Sequence, residues 1–199
     1  SIDVSNNVSL SYLYFGNNQV STIDLTNNSS LLMLSCQLNQ LSNINLSNNT
    51  LLSELNCNNN QLTSLDLNNN TNLIGLECAS NQLTSLDVSN NTSLNKLFCG
   101  DNQFTSLDLI NNVNIGDLRI GNNQISYIDL SPLTSMHTFD CRYNLFDSLS
   151  LTNNLLLYRL ICHGNNISEL DLSNYSNFRM LWAWDNDLQL LDMRNGNNT

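Results

Sequence analysis

His163, Asp140 and Arg142 are the residues of this 199-residue chain whose types first suggest chemistry. An imidazole beside a carboxylate can act as a general base or orient a nucleophile. No Ser or Cys is expected to face outward beside His163, and an open sheet face has no pocket to exclude water, so a catalytic triad is not expected. His163 alone is a still weaker metal ligand. The second candidate is the set of six cysteines, Cys36, Cys57, Cys78, Cys99, Cys141 and Cys162, separated by 21 residues or by twice that interval. An even number invites disulfides. Side chains stacked in parallel register, however, point the same way and keep a strand spacing between Cβ atoms, longer than the roughly 3.8 Å a disulfide wants. A collinear ladder also fails to converge on a tetrahedral metal. Buried free thiols packing as small hydrophobes are the reading, with a latent disulfide and a metal or redox role as lesser alternatives. The third candidate is a column of eight carboxylates, Asp3, Asp24, Asp66, Asp87, Asp108, Asp129, Asp171 and Asp192, interrupted by Asn45 and Ser150. Catalytic pairs need two differently tuned carboxylates in a cleft, so a uniform ladder reads as solvated and hydrogen-bonded, with weak calcium binding as its minor alternative. Neither a cofactor nor a metal site is expected.

These columns exist because the chain repeats. Leu10, Leu31, Leu52, Leu73, Leu94, Ile115, Met136, Leu157 and Phe178 stand 21 residues apart without an insertion, defining nine coils after a partial coil at 1–9. Counted from that residue, each coil is apolar at positions one, four, six, eleven, fourteen and sixteen. Position nine is Asn in all nine coils, from Asn18 to Asn186. Pairs such as Leu55/Cys57 and Leu65/Leu67 alternate like strands, and nothing has helical periodicity. The sequence therefore predicts a mainly β solenoid with a parallel sheet on one side, a second short-strand sheet opposite, and little or no helix. Nine coils at strand spacing would make a flattened rod about 43 Å long. The Asn at position nine is expected to satisfy turn backbone groups that no strand reaches.

The nested pattern, LxxLxCxxNx followed by LxxLxLxxNxx, resembles bacterial leucine-rich repeats of the 21-residue type sometimes called IRREKO repeats. Its cysteine column is similar to the cysteine ladder of internalin J-like listerial surface proteins. The copy at 81–100 is similar to secreted repeat proteins of Bacteroidetes. The resemblance covers the whole chain and implies a binding scaffold, extracellular or at the cell surface, more than a catalyst. Residues 1–199 form one domain, since no Gly, Pro or Ser tract breaks the period. Ser1 falls at position thirteen of a coil and Thr199 where the next first-position Leu would stand. The chain is thus expected to be a fragment without its caps, whose open ends could pair with another copy.

Forty Asn and 39 Leu dominate the composition, and the net charge is −11 with a pI near 4.1. Such a surface lacks the basic patch that nucleic acid or an anionic membrane requires. No apolar run approaches a membrane span and no signal peptide is apparent. Sequons at Asn48, Asn69 and Asn90 arise from the repeat and would matter only in a eukaryotic secretory route.

Variation between coils points to function. The second half of each coil is nearly uniform, whereas positions two, three, five, seven and eight vary and hold five of the six Lys/Arg, both His and both Trp. Toward the C-terminal end this variable face predicts a patch of Arg119, Asp140, Arg142, Tyr143, Tyr158, Arg159, His163, Arg179, Trp182 and Trp184. Trp, Tyr and Arg are the residues that anchor interfaces, so a protein partner is the first reading. Packing of the tryptophans beneath a capping segment is a competing explanation. A glycan stacked on Trp182 and Trp184 is the alternative function, with Asp185, Asn166 and Arg179 taking its hydroxyls. Ice or mineral binding by the regular face of Thr22, Ser64, Ser85, Ser106 and the Asp column is a third.

Overall fold

A computed structural model of the chain describes residues 2–196; the two terminal positions, Ser1 and Thr199, lie outside the described residues. Three-residue strands occupy positions three to five of every coil: β1 (Tyr12–Tyr14), β2 (Met33–Ser35), β3 (Glu54–Asn56), β4 (Gly75–Glu77), β5 (Lys96–Phe98), β6 (Asp117–Arg119), β7 (Thr138–Asp140), β8 (Arg159–Ile161) and β10 (Met180–Trp182). They form one nine-stranded parallel sheet in chain order. Each residue pairs with the one 21 positions on, as in Leu34↔Leu55 and Leu55↔Leu76. The middle residue of each strand faces the core, so Leu34, Leu55, Leu76, Leu97, Leu118, Phe139 and Leu160 are buried, together with all six cysteines. A single coil has no interior; stacking supplies it.

The cysteines are free thiols. Burial pushes the Cys36, Cys99 and Cys162 thiols up to about 12 and the others well above the ordinary value. Position nine behaves as expected. Asn60 Nδ2 donates to the carbonyls of Cys36 at 3.0 Å and Cys57 at 3.1 Å, while its Oδ1 accepts from Leu41 N at 3.0 Å, so one amide ties two coils together.

The opposite side carries the expected second short-strand sheet, smaller than the first. Among the described residues β9 (Glu169–Asp171) and β11 (Leu190–Asp192) pair there as strands, and at the other end Ile2 and Ile23 form an isolated bridge. Elsewhere side chains take the backbone groups that a second ladder would use. The position-fifteen carboxylate accepts the amide two residues on, as Asp66 does from Asn68 N at 3.0 Å and Asp87 from Ser89 N at 2.9 Å. Asn45 makes the same turn with Ser47 N. Position nineteen carries a second buried Asn column: Asn49 Nδ2 donates to Asn28 O at 2.9 Å and Leu25 O at 3.3 Å of the preceding coil. Tyr175 replaces that Asn and its hydroxyl donates to Leu151 O. Side-chain amides thus do between these half-coils what backbone amides do in the main sheet.

Position eight is the sharp corner after each strand, with φ between 49° and 68° from Asn17 to Asp185. Asn and Gly adopt this left-handed region readily; Leu38 and Tyr143 occupy it against their preference.

Candidate functional site

Parallel pairing brings the predicted residues into rows on one face. Arg119, Asp140, Ile161 and Trp182 are register partners in β6, β7, β8 and β10, and Thr138, Arg159 and Met180 form the neighbouring row. Arg142, His163 and Trp184 follow two residues beyond the first row.

Asp140 and Arg142 form a supported pair. Asp140 is 6% exposed, and its carboxylate lies 3.7 Å from Arg142 Nε and accepts Arg142 N at 3.3 Å. Burial raises its pKa, opposed by Arg142. Gly121 makes room: a Cβ there would stand 2.8 Å from Arg142 Cγ and 3.2 Å from the Asp140 carboxylate.

His163 is the centre of an aromatic cluster and is 3% exposed, with a buried Nδ1 that has no hydrogen-bond partner. The Tyr143 ring meets it edge-on at 4.9 Å. Gly164, at φ +68°, lets that ring lie where any side chain would collide with it. Burial, then Arg142, lowers the His163 pKa, while Asp140 and Asp185 oppose the shift. The outer side of the cluster is Trp184, 55% exposed, and Trp182, 38% exposed, their rings 5.6 Å apart and inclined by 41°. They do not make a flat stacking platform. The Arg159 guanidinium lies 6.0 Å from the Trp182 ring, and Tyr158 stacks on His137 at 5.6 Å.

Among the predicted site residues, therefore, Tyr143, Tyr158, Arg179, Trp182 and Trp184 are exposed, Arg119, Arg142 and Arg159 are half-buried, and Asp140 and His163 are buried supports beneath them. Asp140 and His163 make no hydrogen bond with each other, and the thiols are interior. Among the described residues no three His, Cys, Asp or Glu side chains group as a metal site, and no helix is long and apolar enough to cross a membrane.

A second cluster, which takes in the predicted Arg119 together with residues outside the predicted patch, lies beside the first. Phe98 sits between Lys96 Nζ at 4.6 Å and the Arg119 guanidinium at 4.0 Å. Arg119 is bidentate to Asp117 at 2.8 and 3.1 Å, and Glu77 accepts from Lys96, from Asn56 at 3.0 Å and from Asn58 at 2.9 Å. Its signal is the charge alternation between neighbouring coils, visible once the repeats are aligned. On the opposite face, Ser64, Asp66, Ser85, Asp87, Ser106 and Asp108 line shallow recesses between coils rather than a plane.

No protein-family model and no curated protein matches the chain. Solved structures do. The functional domain of InlJ from Listeria monocytogenes, which includes a cysteine ladder, matches over 96% of this chain and 48% of that one, at 32% identity and a TM-score of 0.80. InlF, an internalin of Listeria monocytogenes, matches over 94% and 57% respectively, at 27% identity and a TM-score of 0.87. A leucine-rich repeat protein of Leptospira interrogans matches over 95% and 58%, at 17% identity and a TM-score of 0.78, which speaks to fold alone. The chain spans about half the length of these structures.

Proposed function

We propose that this chain, a leucine-rich-repeat solenoid of the bacterial type with a 21-residue turn and a cysteine ladder, is a non-catalytic recognition or adhesion module. It binds a protein partner through the variable strand face and works outside the cell or at its surface. The observation that carries this reading is the Trp182, Trp184, Tyr143 and Tyr158 cluster held in place by buried His163 and half-buried His137. Large aromatic rings on the open face of a regular sheet expose apolar area without filling a core. Pre-positioned rings lose little conformational entropy on binding, which is what an interface anchor needs. The inclined indoles, one of them covered on a face by imidazole, suit an irregular protein surface better than a flat sugar ring. The open sheet also lacks the enclosed pocket that a catalyst would use.

The test is to pan a displayed library of extracellular protein fragments against the immobilised chain and measure the recovered binders against Trp184→Ala and Ser64→Ala. Binding should weaken roughly tenfold or more with Trp184→Ala, as for an anchor residue, and stay unchanged with Ser64→Ala on the other face. Binders insensitive to Trp184→Ala, with both variants melting like the parent chain, would remove the assignment of this face.

A further inference from the structure

The chain carries 17 carboxylates against six basic side chains, so acidic partners are in excess. Four of the six use them: Lys96 with Glu77, Arg119 with Asp117, Arg142 with Asp140, and Arg194 with Asp192. Among the described residues Arg159 and Arg179 pair with none. They are neighbours. Arg159 in β8 pairs in register with Met180, the residue that follows Arg179, and Arg179 N donates to Tyr158 O at 2.9 Å. Arg159 is flanked in its row by Thr138 and Met180, neither of which can accept an ion pair, while the carboxylate of the next row, Asp140, is engaged by Arg142. Its Nε is buried without an acceptor. The residue as a whole is half-buried, and of the guanidinium nitrogens only Nε is covered, so the other donors remain open to an acceptor. Beside it, Leu156, Tyr158, Asn177 and Arg179 line an open recess of 350 Å³.

Resting on the assignment of this face to protein recognition, we propose that it selects an acidic segment of its partner, whose Asp or Glu carboxylates engage Arg159 and Arg179 between the Tyr158 and Trp182 rings. A guanidinium presents a planar donor fork that matches a carboxylate, and the aromatic flanks exclude water from the pair. Charge complementarity limits the partner further. An extended polyanion would run onto the rest of a surface carrying a net charge of −11, whereas a short acidic segment fits within the recess that Leu156, Tyr158, Asn177 and Arg179 line. The paired arginines, Arg119 and Arg142, have their charge already satisfied and contribute shape.

The experiment uses two labelled peptides, Glu-Glu-Tyr-Glu-Glu and its Gln-Gln-Tyr-Gln-Gln counterpart, titrated against the intact chain at physiological salt, with tryptophan fluorescence and peptide anisotropy as readouts. The glutamate peptide should bind roughly tenfold more tightly, a preference that Arg159→Met and Arg179→Met each erase and Arg194→Met preserves. Methionine keeps the buried stem, and a melting curve for each variant checks the fold. Equal binding of the two peptides, a preference that survives the double arginine variant, or occupancy by dextran sulfate but not by the glutamate peptide would each overturn the proposal. Failure here is separable from failure of the recognition reading: panned binders that need Trp184 yet carry no excess of Asp or Glu overturn only the acidic selection, while the absence of any binder that needs Trp184 removes the recognition face itself.

Discussion

The imidazole of His163 lies 3.9 Å from the indole of Trp184, with the two rings 13° from parallel. One coil therefore supplies the support and the next the exposed surface. Because parallel register places position seven of each coil over position seven of the last, a buried ring of one coil sets the tilt of an exposed ring in its neighbour.

That stacking makes stability depend on pH. Burial and Arg142 hold the His163 pKa below its ordinary 6.5, so the unfolded chain takes up a proton before the folded one does. Stability is then fully present above the unfolded value and is lost as pH falls toward the folded one. Melting temperature and indole emission should both decline between about pH 7.5 and about pH 5.5, and His163→Phe should flatten the decline. A parent profile identical to that of His163→Phe would show that the ring does not titrate as buried. Asp140 acts in the other direction, since burial raises its pKa above 3.8 and its contribution is lost as pH rises through the folded value; Asp140→Asn should remove that component.

The position-fifteen turns predict a second acid effect. The hydroxyl and amide of Ser89 lower the Asp87 pKa, and Asp192 is held at about 2 by Arg194. Lowered carboxylates stabilise above their unfolded pKa and lose that contribution as pH falls below it. Asp87→Asn should preserve the turn, as Asn45 does with Ser47 N at 3.0 Å, while making acid unfolding shallower. Acid titration followed by circular dichroism measures both.

The position-nine ladder should be costly to break. Asn60→Ala leaves the Leu41 amide without its acceptor and takes one of two donors from the Cys36 and Cys57 carbonyls, which keep Asn39 and Asn81. A buried amide left unpaired costs roughly 1–3 kcal/mol, so a loss of about 2 kcal/mol is expected in urea unfolding. Asn186→Ala, in the more open last coil, should cost less. Equal and small losses at both positions would show that water replaces the amide.

Position eight offers an increase in stability. Leu38 adopts φ 56° with an exposed side chain, so Leu38→Asn should stabilise by about 1 kcal/mol through relief of the left-handed strain. Tyr143→Asn relieves similar strain at φ 49° but removes the edge contact to His163 and should show no comparable gain. Calorimetry on the two variants separates backbone strain from ring packing.

The thiols should be inert while the chain is folded. All six are buried with pKa values raised by burial, so an aromatic disulfide reagent should titrate none of them before denaturant is added and all six afterwards. Cys78→Ala should be tolerated better than Cys78→Ser, whose hydroxyl would lie unpaired among leucines. Rapid labelling of the native chain would point to local opening of the ladder.

Much of this was legible in the residues themselves. The 21-residue interval, the inward set Leu52, Leu55, Cys57, Leu62, Leu65 and Leu67, and the Asn60 ladder follow from a pattern repeated nine times, because stacked identical coils leave one parallel register open to them. The Leu65/Leu67 pair alternates as a strand does but forms none. Alternation reports which way side chains point, but a strand also needs a backbone ladder, and the Asp66 carboxylate together with the Asn amides of positions eighteen and nineteen took those groups instead.

The sequence by itself therefore determined the solenoid, its core and the face on which variation collects, since these depend on periodicity that every coil restates. Only the tertiary structure decided that Asp140 and His163 lie under the face, that Phe98 is held between two cations, and that, among the described residues, four basic side chains are paired while Arg159 and Arg179 are not. The physical reason is reach. Backbone register places Cα atoms in rows, whereas burial and pairing on the face depend on how long side chains from three or four successive coils share the space above them.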